Sequence, residues 1–224
     1  MAAGATPHKV RIWDLPTRLF HWCLVVCALA LLITAKVGGD AMVWHARLGF
    51  CTAALLLFRL SWGWLGGYWS RFANFPPAPL AAWRHVRGAG AGGSGHNPLG
   101  ALSVYAMLLF LVAQVATGLF SENKDDFSGP LAVHVSNATV HLMTAYHQNV
   151  GQWILVALVL LHIGAVLYTL VRRKDNLIRP MITGDKELAQ AGPESRDTIG
   201  TRLLALALLA VWAAAVAWLV SLGG

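Results

Sequence analysis

Nine histidines stand in a chain of 224 residues of which only 12% are charged. Ionisable and coordinating side chains are costly inside a bilayer and carry function there by default, so histidines within apolar runs are the place to begin. Four qualify: His21, His45, His147 and His162. His147 and His162 are 15 residues apart, roughly 22 Å along a helix and about 60° apart around its axis. Both can therefore face one bundle interior, one near each side of a hydrocarbon core about 30 Å thick. A flat cofactor with two axial imidazoles fits this layout. Haem iron takes one neutral imidazole on each face of its ring, and facing helices of a bundle supply them. Depth pairs His21 with His162 at one level and His45 with His147 at the other.

Small residues stand beside these positions. Gly49 follows His45 by four residues, on the same helical face, where a side chain would block a porphyrin. Gly164 lies near His162, and Thr117-Gly118 closes the third apolar run at the level of His45. Zinc is a poor rival, because no cysteine or carboxylate lies at either level to complete a tetrahedral site. Cys23, Cys27 and Cys51 all fall in apolar runs with no CxxC and no CxxCH. That excludes a zinc finger, a thioredoxin-like motif and covalent haem attachment. They read as small buried apolar side chains.

The elements that must position these residues are membrane spans. The chain is 57% hydrophobic with a mean hydropathy of +0.57, and its charged fraction is half of the ~25% usual in soluble domains. A soluble enzyme, a disordered tail and a nucleic-acid-binding module are excluded. The net charge of +7 is spread between apolar runs, where it reports orientation. Five runs are long enough to span, at about 19–36, 44–66, 98–120, 147–171 and 203–222. Lys9, Arg11 and Arg18 precede the first. Arg71, Arg84 and Arg87 lie between the second and third, and Arg172, Arg173, Lys174, Arg179, Lys186, Arg196 and Arg202 between the fourth and fifth. Thirteen basic residues thus share one side, against Lys36 and Lys124 on the other. The N-terminus is expected in the cytoplasm and the C-terminus in the periplasm. Gly88–Gly95 reads as a flexible linker, and Pro130–Tyr146 as a helix lying along the membrane surface. Trp13, Trp22, Trp44, Trp62, Trp64, Trp69, Trp83 and Trp153 cluster near span ends, as in an aromatic belt.

The stretches VRIWDLPTRLFHW (Val10–Trp22), HARLGF (His45–Phe50), FRLSWGWLG with RFANF (Phe58–Phe75), GHNPLGA (Gly95–Ala101), GPLAVHVSNAT (Gly129–Thr139) and LHIGAV through NLIRPMITG (Leu161–Gly184) occur in this order. Together they resemble the bacterial cytochrome b561 and nickel-iron hydrogenase b-type cytochrome family. The resemblance covers about residues 10–184. It implies a four-helix bundle holding two b-type haems, with one ligand on helix one, one on helix two and two on helix four. Carried over, these are His21, His45, His147 and His162. The two ligands of helix four are usually 14 apart in such cytochromes and are 15 apart here. That calls for a helix bulge between them, or for His141 in place of His147, although His141 would lie roughly 31 Å from His162 along a helix. Arg47 is a candidate partner for the propionates of the outer haem, and Arg18, Arg59 and His96 for those of the inner one, since arginine binds carboxylates through a bidentate fork.

The expected protein is all-α and integral to the bacterial inner membrane. Residues 1–184 form a dihaem four-helix bundle, 185–202 a cytoplasmic linker and 203–222 a fifth span. Its expected function is electron relay between a quinone pool and an outer-face redox protein, a c-type cytochrome or a hydrogenase, in a surrounding of membrane lipid. Glu122, Asp125 and Asp126 form an acidic outer patch suited to steering a basic partner. Two other functions use the same alphabet: a stand-alone quinone-coupled oxidoreductase of a small outer substrate such as superoxide, and a haem-free anchor or transporter. A transporter would show broken helices and a midplane polar site, and neither is evident.

Overall fold

The computed structural model describes residues 8–86, 97–123 and 127–223. In order these form a strand β1 (His8–Arg11), helices α1 (Leu15–Val37), α2 (Ala41–Leu65), α3 (Pro79–Val86), α4 (Pro98–Gly118), α5 (Asn137–Tyr146), α6 (Gln152–Arg172) and α7 (Ile178–Thr183), a strand β2 (Asp185–Leu188) and helix α8 (Ile199–Ser221). Five helical segments are long and apolar enough to cross a membrane: α1, α2, α4, α8 and Asn137–Arg172. The chain is a helical membrane protein. Large apolar side chains on its outer surface, such as Ile33 and Leu161, which is 70% exposed, suit lipid contact.

The fourth span is longer than the apolar run that announced it. Residues 137–146 are not a separate surface helix; they run on into α6 through a π turn at His147–Gly151. Ser136 caps the start of α5 by accepting a hydrogen bond from the Thr139 amide at 3.3 Å, which supplies one of the partners a helix N-terminus lacks. The polar residues of 137–146 masked this continuity, because helix periodicity rather than apolarity is what extends across it.

The chain divides into two compact units. The first comprises residues 1–19, 60–105 and 160–205. At its heart lies Asp14, fully buried. Its carboxylate accepts from the Thr17 amide at 2.8 Å, the Trp62 indole at 3.2 Å, the Gly67 amide at 3.0 Å and the Ser70 hydroxyl at 3.0 Å. A buried carboxylate survives only with such satisfaction. The bond to Thr17 also caps α1, so the sequence Asp14-Leu15-Pro16 both starts the helix and anchors it. Trp62 is correspondingly no belt residue, being fully buried with its indole committed to Asp14, and Trp69 donates to the Pro193 carbonyl at 2.8 Å.

Residues 185–202, read from the sequence as a cytoplasmic linker, pair back onto this unit. β2 pairs antiparallel with β1, His8 opposite Leu188 and Arg11 opposite Asp185. Buried Ser195 donates to the Ile12 carbonyl at 2.6 Å. Arg11 bridges Asp185 at 2.6 Å and Asp197 at 2.9 Å, and Asp197 also meets Arg202 at 2.8 Å. Two four-residue strands carry no alternation long enough to be seen in sequence, and only pairing makes them strands.

The second unit comprises residues 20–59, 106–159 and 206–224. Ala53 and Ala54 of α2 pack with Val216 of α8, flanked by Phe50, Leu57, Val115 and Val220. Small side chains such as these alanines are common where membrane helices pack. The end of α8 is fastened too, since His134 Nε2 donates to the Leu222 carbonyl at 3.0 Å. Cys23 and Cys51 are exposed rather than buried, facing outward on apolar helices.

Candidate functional site

His45 and His147 lie in the second unit and their rings meet. The ring centres are 6.2 Å apart and the planes stand at 89°. About 2 Å for each metal–nitrogen bond and about 1 Å from nitrogen to ring centre bring two imidazoles that share one metal to roughly 6 Å. The Nδ1 side of each ring is already engaged. His45 Nδ1 donates to the Leu31 carbonyl at 3.1 Å, and His147 Nδ1 to the Gln114 carbonyl at 2.9 Å. A carbonyl can only accept, so Nδ1 carries the proton and the neutral ring keeps its lone pair on Nε2. This is the tautomer and orientation that a metal-ligating histidine needs.

Two glycines shape the surroundings. A Cβ added at Gly49 would meet nothing within 4 Å, so there is open space on the face of α2 that carries His45. At Gly118 a Cβ would stand 2.8 Å from Cε1 of the His147 ring, so only glycine lets that ring lie where it does. Apart from this pair, Gly164 of the first unit, two residues from His162 on α6, likewise has nothing within 4 Å of a built Cβ. Two imidazoles, no third histidine, cysteine or carboxylate gathered with them among the described residues, and open space along one helix face make a donor set that fits haem iron, whose remaining equatorial positions the porphyrin fills. It does not fit a tetrahedral metal.

His21 sits on α1 in the second unit, half-buried, with its ring edge-on to Trp22 at 5.0 Å. His162 sits on α6 in the first unit, half-buried. Arg59 is buried within α2, 4% exposed. Arg18 donates from Nη1 to the Ile182 carbonyl at 2.5 Å, and its buried Nε makes no hydrogen bond among the described residues. Arg47 is exposed and stacks over the Trp44 ring at 5.0 Å. His141 is exposed on α5, lining a cleft of ≈ 300 Å³ with Glu122, Thr144 and Gln148. His96, Asp125 and Asp126 lie outside the described residues, as does the Gly88–Gly95 stretch.

Gln114 was not anticipated. Its backbone carbonyl receives the His147 ring, and its side-chain Nε2 donates to the His147 carbonyl at 2.9 Å. The signal was present: Gln114 is an amide in the middle of an otherwise apolar span, and polar groups there are rarely idle.

Membrane helices presenting paired imidazoles, with no covalent attachment motif in the chain, define a b-type cytochrome, a class that holds haem non-covalently. The chain belongs to the prokaryotic cytochrome b561 family, whose model matches residues 12–184. Among its relatives is the probable Ni/Fe-hydrogenase 1 B-type cytochrome subunit of Escherichia coli K12, 22% identical over 212 residues, covering 77% of this chain and 88% of the relative. The probable Ni/Fe-hydrogenase B-type cytochrome subunit of Bradyrhizobium diazoefficiens is 24% identical over 216 residues, covering 80% and 86%. That of Rhizobium leguminosarum bv. viciae is 22% identical over 216 residues, covering 80% and 89%. No solved structure matches the chain.

Proposed function

We propose that this cytochrome holds two haems, each between two histidines, and relays electrons across the bacterial inner membrane. His45 and His147 hold the outer haem, and His21 and His162 the inner one. The observation that carries the reading is the His45–His147 ring pair, with both Nδ1 protons committed to backbone carbonyls. Bound haem supplies one-electron chemistry at iron. The chain's own part is to orient the imidazoles, keep Nε2 free of a proton and exclude water. Gly49 and Gly118 leave room for the ring and for His147. Arg18 and Arg59, with His96, serve the inner propionates and Arg47 the outer ones.

Thirteen basic residues on one side support a cytoplasmic N-terminus and a periplasmic C-terminus. The outer redox partner is a hydrogenase, because the relatives are named as hydrogenase cytochrome subunits; the other partner is a membrane quinone. The test uses detergent-purified full-length protein. Wild type should carry two acid-extractable haems per chain. His45→Ala and His147→Ala should each remove the same one, and His21→Ala and His162→Ala the other. Two haems retained in His147→Ala, with one lost in His141→Ala, would overturn the outer assignment.

A further inference from the structure

We infer that Gln114 is a positioning residue for His147, and that with Gly151 it forms a clasp tuning the outer redox centre; the inference rests on His147 being a ligand. Two bonds join these residues in opposite senses. The His147 ring donates from Nδ1 to the Gln114 carbonyl at 2.9 Å, and the Gln114 amide donates from Nε2 to the His147 carbonyl at 2.9 Å. Ring and backbone of one residue are thus both held by one residue of α4. The place where this happens is the π turn His147–Gly151. A π turn widens the i→i+4 ladder to i→i+5, so its carbonyls are less well served by the helix itself, and a side-chain donor there holds the turn open.

Gly151 is the second, independent part. It ends the π turn and is buried. A Cβ on it would strike Oε1 of Gln114 and stand 2.7 Å from Cε1 of Tyr146. Only glycine lets the Gln114 amide lie across the turn. Oε1 itself is buried with no hydrogen-bond partner among the described residues. Burying an amide oxygen in this way is costly, a cost that a leucine filling the same space would not incur. The side chain is therefore kept for the bond its nitrogen makes.

The consequence is electronic as well as geometric. A hydrogen bond from Nδ1 to a carbonyl makes the imidazole a stronger donor to its metal, which favours the ferric state. Releasing the clasp lengthens that bond, so the potential of this haem should rise. Gln114→Leu keeps the bulk and removes the donor; Gly151→Ala keeps Gln114 and pushes its amide off the turn. Both are made in the full chain and read by haem content, low-spin ferric resonance spectra and redox titration.

The expected result is two haems per chain in each variant, with an upward potential shift and altered low-spin spectrum confined to the haem that His147→Ala removes. Selective loss of that haem in either variant also supports the clasp. Unchanged spectra and potentials in both, equal shifts of both haems, or loss of both haems in Gln114→Leu with Gly151→Ala unaltered would overturn it. If His147→Ala itself keeps both haems, the ligand reading has failed, and the clasp falls with it.

Discussion

A histidine becomes a ligand by what is done to its other nitrogen. At His45 and His147 that nitrogen is spent on the carbonyls of Leu31 and Gln114, one from α1 and one from α4, so two helices fix the rings carried by two others. The space in front of the rings matters as much. Gly49 has nothing within 4 Å of a built Cβ, so a larger side chain there costs the empty protein little and obstructs only what fills the space. Gly49→Leu should therefore insert and purify like wild type while holding one haem fewer, with the residual spectrum of His45→Ala. A Gly49→Leu protein with both haems, by pigment assay, would show that the open face is not the cradle.

At the scale of the element, the fourth span decides the register. The 15-residue interval between His147 and His162 contains one π turn, and a π turn takes up one residue more than an α turn. The interval therefore behaves as 14 residues of regular helix, which is the spacing that the family resemblance implied. Of the two readings the sequence left open, a bulge or His141 in place of His147, the π turn is a bulge of the kind the first requires, and it begins at His147 itself. Deleting Asn149 should convert the turn to regular helix and keep both histidines in register, so both haems should remain. Deleting Leu158 from α6 leaves the turn in place and swings His162 by about 100° relative to His147, so one haem should be lost. Haem counts on the two deletions check this, and equal losses would mean that the π turn does not set the register.

Across the whole chain, the N-terminal strand and the fifth helix are tied together by charge. Asp197 takes Arg11 at 2.9 Å and Arg202 at 2.8 Å, and only 6% of its side chain is exposed. Burial raises the Asp197 carboxyl, but the Arg202 hydrogen bond, the Leu15 amide and the charges of Arg202 and Arg11 outweigh it and hold the carboxyl below its ordinary 3.8. A depressed carboxyl stabilises the fold above the unfolded value, and that contribution is lost as pH falls through the folded value. Asp197→Asn should thus lower the thermal midpoint of the detergent-solubilised protein at neutral pH. The gap from wild type should close as pH drops below about 4. A gap that is constant with pH would mean that Asp197 acts through packing and not through its charge. The same tie explains why 185–202 is ordered. Its pairing partners, β1 and Arg11, lie more than 170 residues back along the chain.

Long-range order of that kind marks where sequence stops being enough. The five spans were legible because a bilayer demands about 20 apolar residues with their backbone bonds satisfied internally, a constraint written locally. The histidines stood out for the same reason, as expensive groups in apolar runs. What composition could not carry was every feature made by two distant segments: the β1–β2 pair, Trp62 turned inward to Asp14, and Val216 of the fifth helix seated on Ala53 and Ala54. The His45–His147 meeting was expected by depth, yet its 6.2 Å spacing and 89° angle depend on Leu31, Gln114 and Gly118. None of these residues is a ligand, and each acts only because tertiary packing brings it to a ring many residues away.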